Sequence, residues 1–332
     1  MRRTVNRGFT ILELLISILV IGIIMGLVIG GAVAVTRAAR TSADRAALSG
    51  VKTGLEQFKG EFGFIPPLVR DRATPPLVLT PLGPSDRRLI VYDLTNPADQ
   101  DLLRAPSTPA PPNNPLLDDR YSTVSLAAYL AGGMDFALNT SPNAPAVDGS
   151  GGPALYKPTR DGGFEIPRDV RQGAAATTKR TGTVYESFVN LTKASPRLRP
   201  NPATPEDVTL VDANNVPIRY YRWLTGREEP AGSGTYVVEM ISDLNVPPMV
   251  ARDQTLPAFQ YMKQKSDRDL NANVATRSAA WAIVSAGPNQ VFGDEAIALI
   301  AERLGKSQPA TVQDELVLRG LAEEDNVVEV GQ

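Results

Sequence analysis

The sequence contains no cysteine and no histidine among its 332 residues. Without cysteine there is no disulfide and no thiolate nucleophile, and without histidine there is no imidazole base. The usual zinc ligands are missing too, so oxygen ligands are the metal chemistry that remains. The formal net charge is only -2, and no basic stripe is present that would predict nucleic-acid binding. These absences leave a narrow catalytic repertoire.

A long uncharged run dominates the N-terminal region. From Leu14 to Val35 the chain has 22 residues without a charge, and Ser17 is the only polar side chain among them. A helix of this length spans the hydrocarbon core of a bilayer, which is about 30 Å thick. A cleavable secretory signal would have a shorter apolar core followed by a small-residue cleavage site, and the charged flanks argue against a buried core helix. We therefore predict a membrane-spanning helix.

Arginines lie on both sides of this run. Those before it are Arg2, Arg3 and Arg7, and those after it are Arg37, Arg40 and Arg45. Because cytoplasmic flanks are enriched in basic residues, the short leader predicts a cytoplasmic N-terminus and a periplasmic C-terminal domain. The second group of arginines reduces the charge difference across the membrane, so the predicted orientation depends on the leader.

Glu13 is a carboxylate close to the start of this apolar segment. A charge in hydrocarbon costs about 2.5 to 3.5 kcal/mol on insertion scales, so Glu13 needs a partner. No cation lies inside the run. Gly8, directly before Phe9, is small enough to leave the backbone accessible to a protease. A cut between these two residues would create a largely cationic α-amino group, which would supply the missing partner.

The segment RGFTILELLISILVIGII, residues 7–24, resembles the leader region of the type IV pilin and pseudopilin superfamily. Precursors in that superfamily carry a short basic leader, a Gly-Phe cleavage site and a glutamate at the fifth mature position. The resemblance implies that a prepilin peptidase cleaves after Gly8 and methylates the amine of Phe9. It also implies that Glu13 neutralises the Phe9 ammonium of a neighbouring subunit during assembly. The alternative is that Glu13 pairs with Phe9 of its own chain or reaches the membrane interface.

The helical pattern continues beyond the apolar run. An apolar stripe with spacings of 3 and 4 is formed by Leu48, Val51, Leu55, Phe58 and Phe62. The residues expected on the other faces are Asp44, Arg45, Lys52, Glu56 and Lys59. Gly63 and the prolines at 66 and 67 predict the end of one helix, from Phe9 to Phe62, that is about 80 Å long. The segment GLEQFKGEFGFIPP also resembles the end of the long helix in major secretion pseudopilins.

The rest of the chain alternates between insertions and short predicted elements. Residues 66–115 hold twelve prolines, and residues 139–182 are rich in glycine, proline and polar side chains, so both are predicted to be irregular. A short helix is predicted in YSTVSLAAYLAGG, residues 121–133, with Leu126, Tyr129 and Leu130 facing inward. The predicted strands are TGTVYESFVN (181–190), VPIRYYRWL (216–224), GTYVVEMI (234–241) and AAWAIVSAG (279–287).

These elements predict an α+β protein. A long N-terminal transmembrane α-helix packs on a small antiparallel β-sheet domain, as in pilins, and the domain carries long Pro/Gly-rich insertions. The expected divisions are the leader 1–8, the transmembrane half of the helix 9–35, its periplasmic half 36–63 and the globular domain 64–332. Within that domain, the insertions occupy 64–182 and an acidic loop region occupies 285–332.

Two segments of the globular domain resemble pseudopilin loops. DANNVPIRYY, residues 212–221, resembles a segment in which an aspartate and a turn lead into a strand. WAIVSAGPNQVFGDE, residues 281–295, resembles a loop that helps to hold a calcium ion. The ligands that this resemblance implies are Asn289 and Asp294 from one loop, Asp325 and Asn326 from a second, and the carbonyls of Ser285 and Val291.

The C-terminal region has the charge that a calcium site requires. From Asp294 to Gln332 there are nine acidic residues against three basic ones. Two helical segments, at about 295–304 and 313–321, separate the two loops, which would have to converge to supply six to eight oxygens. The alternative is a solvated acidic tail, as most charge runs are. Calcium is therefore the expected cofactor, with the acidic tail as the competing interpretation.

The favoured interpretation of the whole chain is structural rather than enzymatic. It predicts a pseudopilin of a type II secretion pseudopilus, anchored in the inner membrane and extracted into a helical filament. The expected partners are the prepilin peptidase, other pseudopilins or pilins, the inner-membrane assembly platform and the lipid bilayer, but not nucleic acid. The alternatives are a minor type IV pilin in adhesion or DNA uptake, and a membrane-anchored periplasmic enzyme or binding module.

Overall fold

The structure, a computed structural model, describes thirteen parts of the chain. They are residues 11–71, 77–79, 87–94, 96, 99, 121–132, 154–165, 183–191, 196–200, 208–222, 279–293, 295–323 and 325–331. The leader 1–8, Phe9, Asp294 and the predicted strand at 234–241 lie outside these residues.

A single helix, α1, runs from Ile11 to Phe62. Its 52 residues correspond to about 78 Å, which confirms the predicted long helix. The helix ends where Gly63 adopts a left-handed conformation and donates its N–H to the Lys59 carbonyl, at 2.9 Å. Among the helical residues whose side chains are described, no stretch is both long and apolar enough to cross a membrane.

The predicted apolar stripe of α1 is the face that packs on the domain. Its members from Leu48 to Phe58 are at most 1 % exposed, and Phe62 is partly buried against the same core. Asp44, which was expected on another face, is fully buried instead, so that expectation is wrong. The reason is geometric: Asp44 precedes Leu48 by four residues and therefore lies on the same side of the helix.

The described strands are short and mostly paired in twos. In chain order they are β1 Leu77–Leu79, β2 Arg87–Leu89, β3 Ala154–Tyr156, β4 Val184–Glu186, β5 Arg197–Pro200, β6 Val208–Val211, β7 Arg219–Arg222, β8 Trp281–Ser285 and β9 Val327–Gly331. Antiparallel ribbons join β1 to β2, β3 to β4 and β5 to β6, while β7, β8 and β9 form one sheet. β1, β2 and β3 lie within the region 64–182 that was predicted to be irregular insertions, so that expectation is wrong for these three strands.

The three-stranded sheet lies beside α1. Its central strand β8 is buried along its length and pairs antiparallel with β7 on one side and β9 on the other. The strands predicted in VPIRYYRWL and AAWAIVSAG are thereby confirmed. The third strand was not predicted: β9 comes from the segment that had been interpreted as a calcium loop and its flank. Side chains of β9 point to opposite faces in turn, so Val327 packs on the main core, whereas Val328 and Val330 pack on a second cluster.

The strand predicted in TGTVYESFVN forms but does not join this sheet. Its residues Val184–Glu186 pair with Ala154–Tyr156, so the expected sheet of four neighbouring strands is wrong. The ribbon partner came from the Gly/Pro-rich segment 139–182, where composition gave no strand signal. Local composition therefore identified the strand without identifying its partner.

Three short α-helices and one 3-10 turn, Gly287–Asn289, also lie in the described residues. The helix predicted in 121–133 is α2, Ser125–Ala131, which is buried along its whole length and ends at Gly132 in a left-handed conformation. The two helices predicted between the C-terminal loops are α3, Ile297–Arg303, and α4, Val312–Glu323. These two pack together over a small core of their own, formed by Val291, Ile300, Ala301, Leu318 and Ala322.

Candidate functional site

The N-terminal part of α1 presents large apolar side chains to its surroundings. From Ile11 to Val35, the exposed fractions of the described large aliphatic residues range from 47 % at Val20 to 81 % at Ile11. These residues occur on all sides of the helix rather than on one stripe, as expected for a helix surrounded by apolar material. We call this surface, residues 11–35, the apolar half of α1. Isolated water-soluble domains seldom leave so much continuous apolar surface uncovered.

The C-terminal part of α1 is fastened to the domain by an aromatic cluster. The ring of Phe58 contacts the rings of Phe62, Phe64, Tyr129 and Phe188 edge-on, with centroid distances of 4.7 to 6.1 Å. Edge-to-face pairs of this kind add about 0.5 to 1.5 kcal/mol each beyond the burial of their area. We call residues 44–62 the packed half of α1.

A buried polar joint connects the packed half to the turn between β6 and β7. Asp44 accepts hydrogen bonds from the backbone N–H of Ala213, at 2.9 Å, and from the Asn214 side chain, at 2.7 Å. Asp212 lies in the same turn and accepts from the hydroxyl of Ser285 on β8, at 2.7 Å. Through these contacts the turn holds both the long helix and the central strand.

The two carboxylates of this joint are electrostatically unusual. Burial raises the pKa of Asp212 to about 6, although its hydrogen bonds from Ser285 and Val216 act in the opposite direction. Burial also raises the pKa of Asp44, against the effect of its bonds from Ala213 and Asn214. The charge of Asp44 raises the pKa of Asp212 further but by less than burial does, so desolvation is the dominant cause for both carboxylates.

The two C-terminal loops converge, as the sequence interpretation required. Gly287 approaches the segment before β9 so closely that a Cβ at this position would lie 2.2 Å from the Asp325 carbonyl oxygen. The Asn326 side chain donates to the Phe292 carbonyl, at 2.9 Å, and Asn289 donates to the Ala322 carbonyl. Direct hydrogen bonds thus join loops that were expected to meet through a metal ion.

A buried arginine supports the first of these loops from β7. Arg219 is fully buried, and its guanidinium lies 3.7 Å from the ring centre of Phe292 and 4.2 Å from that of Tyr121. Its terminal nitrogen lies 3.6 Å from the carboxylate of Glu295, which in turn accepts the backbone N–H groups of Phe292 and Gly293. This cation–π and ion-pair arrangement fixes the loop without any covalent cross-link.

A second arginine fastens the loop from α4. Arg319 donates to the carbonyls of Gly293, at 2.5 Å, and Glu295, at 3.1 Å. Its remaining donors bind the carboxylate of Glu315 one turn earlier on the helix. Five donors on a rigid fork allow one side chain to satisfy several carbonyls at once. The loop is therefore held from both sides.

The predicted calcium ligands are only partly suited to a metal ion. Asn289 uses its oxygen to accept from the Val291 N–H, at 3.1 Å, and Asp325 pairs with Arg37 of α1. The side-chain oxygen of Asn326 is buried without a hydrogen-bond partner, so it could serve as a ligand to a cation. Within the described residues, no group of three or more acidic side chains is assembled as a metal site. Asp294 lies outside those residues, and the calcium site stays a prediction.

The predicted processing and assembly residues are described only in part. Gly8 and Phe9 lie outside the described residues, and of Glu13 the structure gives the helical backbone alone. The structure therefore places Glu13 within α1, one turn or less from its described start. The leader residues stay predictions at this stage.

Sequence reasoning missed the polar residues that organise the domain. Asp44 was misassigned although its spacing to Leu48 was a usable signal, because charged residues are seldom fully buried. Arg219 lies in a strand predicted from its neighbours, and nothing in its local pattern marks it as buried. Glu295 was counted only as part of an acidic run. Each of these residues is buried because of a partner far away in the sequence.

Comparison with known proteins adds one finding. A model of the prokaryotic N-terminal methylation motif matches residues 3–29. The match covers the basic flank, the segment from Gly8 to Glu13 and much of the apolar half of α1. Searches of curated proteins and of solved structures each found no match to the chain.

The matched motif indicates what kind of precursor this chain is. Residues 3–29 are similar to the prepilin leader of type IV pilin-like proteins, which indicates a substrate of a prepilin peptidase. The helices and the small antiparallel sheets confirm the predicted α+β class, and the motif supports the predicted pilin-like leader. The match assigns no particular pseudopilin or pilin family.

Proposed function

We propose that this chain is a structural pseudopilin of a type II secretion pseudopilus. In this proposal the precursor is inserted in the inner membrane with its N-terminus in the cytoplasm and its domain in the periplasm. A prepilin peptidase removes the leader after Gly8 and methylates the new N-terminus at Phe9. An inner-membrane assembly platform then extracts the subunit into a helical filament with other pseudopilins, without enzymatic activity of its own.

The apolar half of α1 is the observation that carries this proposal. Its aliphatic side chains are about half exposed or more, although the packed half of the same helix is buried. Burying apolar surface contributes about 25 cal/mol per Å², so an uncovered helix of this length has a strong tendency to find apolar surroundings. A bilayer before assembly and neighbouring α1 helices after it would both meet this need.

The position of Glu13 supports assembly from the same surface. A carboxylate among exposed aliphatic residues is costly in lipid unless a cation is near. The α-amino group of a processed neighbour would supply that cation. Contacts of this kind join one subunit's end to the side of the next, so they are head-to-tail and form an open helical polymer.

The experiment that tests the proposal combines one measurement with one substitution. Mass spectrometry of the N-terminus of the protein from its native membrane is expected to find Phe9 as the first residue, carrying a methyl group. Glu13→Gln keeps the size of the side chain but removes its charge, so it should abolish filament formation while leaving membrane insertion unchanged. Ser17→Ala is the matched control, because it removes a polar group from the same helix without changing charge.

The outcomes separate this proposal from its alternatives. An unprocessed Met1 would contradict the whole proposal and favour a plain membrane anchor for an enzyme or binding module. Normal filaments from Glu13→Gln would contradict the pairing role alone. Loss of surface pili, adhesion or DNA uptake with intact protein secretion, after deletion of the gene, would instead identify a minor type IV pilin.

We further propose that calcium binds where the two C-terminal loops meet. The buried, unpartnered oxygen of Asn326 supports this proposal, and Asn289, Asp294 and Asp325 would supply further oxygens. The full chain in detergent should then melt at a higher temperature in calcium than in excess chelator. Asn326→Leu should remove this difference, whereas Gln313→Leu, on the exposed surface of α4, should keep it. An unchanged melting temperature on chelation would eliminate the site.

A further inference from the structure

A cavity of about 460 Å³ lies between α1 and the C-terminal part of the domain. Volumes of this size are typical of sites for small molecules and head groups. The residues around it are Ala32, Thr36, Arg37, Arg40, Pro288, Asn289, Arg303 and Leu304. One wall is thus the middle of the long helix, and the other is formed by the first C-terminal loop and the end of α3.

The walls of this cavity carry positive charge. Three of its lining residues are arginines, and none of the described lining residues is acidic. Arg37 pairs with Asp325, and Arg303 donates one N–H to the side-chain oxygen of Gln290, at 2.8 Å. Arg40 has no ion-pair partner among the described residues. A guanidinium offers five donors in a planar fork, so Arg40 and Arg303 keep several donors for a bound anion.

The cavity also has a defined place along α1. Ala32 belongs to the last turn of the uncharged run, and Thr36 is the first residue after it. If α1 is anchored in a bilayer, as the proposed function requires, this is the level at which the helix leaves the hydrocarbon and meets the lipid phosphates. The arginines of the cavity would then face the head-group layer.

We propose that this cavity binds the phosphate group of an anionic phospholipid from the membrane that holds α1. Arginine forks match the oxygens of a phosphate in pairs, and basic pockets beside membrane helices attract anionic head groups. This proposal rests on the proposed membrane anchor. It also gives a role to Arg37 and Arg40, which otherwise oppose the charge asymmetry that orients the helix. The bound lipid sets the depth of the subunit before extraction.

The test uses the full chain, purified from its membrane and inserted in nanodiscs. One set contains phosphatidylcholine alone, and the other contains equal parts of phosphatidylcholine and phosphatidylglycerol. Native mass spectrometry then counts the lipids that stay on the protein, and phosphatidylglycerol should be retained in preference. The double variant Arg40→Gln/Arg303→Gln should lower this retention by about thirtyfold, because two lipid-facing charges are lost.

Matched variants guard against trivial losses. Arg45→Gln removes a charge from the exposed surface of the same helix but outside the cavity, so it should retain lipid as the unchanged protein does. Arg37 is left intact because its pairing with Asp325 holds the C-terminal loop. The melting temperature of the double variant should match that of Arg45→Gln, which shows that its domain is folded.

Several results would overturn the proposal. Retention of phosphatidylglycerol by the double variant at the level of the unchanged protein would do so, and so would equal retention of both lipids. Displacement of the lipid by millimolar inorganic phosphate would assign the cavity to a free anion. Weaker self-association of the double variant with unchanged lipid retention would assign it to a neighbouring copy. A chain that does not enter phosphatidylcholine nanodiscs would refute the anchor itself, whereas one that enters without lipid preference refutes only this inference.

Discussion

The two halves of α1 belong to one continuous helix yet relate to their surroundings in opposite ways. The packed half directs one stripe, ending at Phe58 and Phe62, into the domain core and leaves its other faces to charged residues. The apolar half has large aliphatic residues on every side and exposes them. The difference shows that one secondary-structure element is used in two ways: one half stabilises the domain, and the other leaves its apolar side chains uncovered.

Each half also contains one carboxylate in an apolar setting. In the packed half, Asp44 is satisfied by hydrogen bonds from Ala213 and Asn214 of its own domain. In the apolar half, Glu13 has no cation within the uncharged run that follows it. Asp44 is therefore a structural group, because its partners lie in its own domain. Glu13 would act in assembly, because its proposed partner lies in another subunit.

The largest expected effect comes from truncating one large apolar side chain to alanine in each half. Phe58→Ala removes a fully buried ring from the aromatic cluster and should lower the free energy of unfolding by about 3 to 5 kcal/mol. Ile18→Ala removes a side chain that is 59 % exposed, so the domain should lose at most about 0.5 kcal/mol. Urea unfolding of the full chain in detergent micelles, followed by tryptophan fluorescence, measures both values.

Filament formation should respond to these substitutions differently from domain stability. Ile18→Ala should weaken assembly at unchanged domain stability, because its side chain is available only to neighbours and lipid. If Ile18→Ala destabilised the domain as strongly as Phe58→Ala, the division of α1 into two halves would be wrong.

The sequence was sufficient for the helical part of the fold. The stripe from Leu48 to Phe62, the short helix around Tyr129 and the two C-terminal helices all follow from periodicity within about a dozen residues. Their physical cause is local, because side chains three and four positions apart share a face. The leader motif was equally local, and the match at residues 3–29 confirms it.

The pairing of strands was beyond the sequence because it depends on distant partners. β9 sits on one side of β8, although more than forty residues of loop and helix separate the two strands. The burial of Asp44 and Arg219 was missed for the same reason. Asp44 is stabilised by a turn, and Arg219 by aromatic rings and a carboxylate, and all of these partners are distant in the sequence. The loops of the predicted calcium site were correctly expected to converge, but not through direct hydrogen bonds.

Two glycines in the packed half, one helical turn apart, have different surroundings. A Cβ at Gly54 would lie 2.7 Å from the Phe188 carbonyl oxygen, whereas a Cβ at Gly50 has no neighbour within 4 Å. The segment at Phe188 has little freedom to move, because its N–H donates to the Leu130 carbonyl at 2.8 Å. Gly54→Ala should therefore destabilise the domain by about 1 to 3 kcal/mol.

Gly50→Ala is the matched substitution and should act in the opposite direction. It adds only helix propensity at an exposed site and should stabilise the domain by about 0.5 to 1 kcal/mol. Thermal unfolding of the two variants, measured side by side, gives both signs in one experiment. Equal shifts of the same sign would mean that the helix does not approach the Phe188 segment as closely as described.

The last expected effect is the pH dependence of the polar joint in the packed half. The pKa of Asp212 is about 6 in the folded chain and lower in the unfolded chain, so the folded state binds more protons between these values. Stability from this group is thus present at low pH and is lost as pH rises through about 6; from pH 7 to pH 5 the gain is about 1 kcal/mol. Asp212→Asn should remove this gain, and Ser285→Ala should shift it to higher pH, because the Ser285 hydrogen bond lowers the pKa of Asp212. Urea unfolding at pH 7 and pH 5 gives the change in the free energy of unfolding for each variant, and comparing variants cancels the groups that they share. If Asp212→Asn left this change as it is in the unchanged protein, the pH dependence would come from another group.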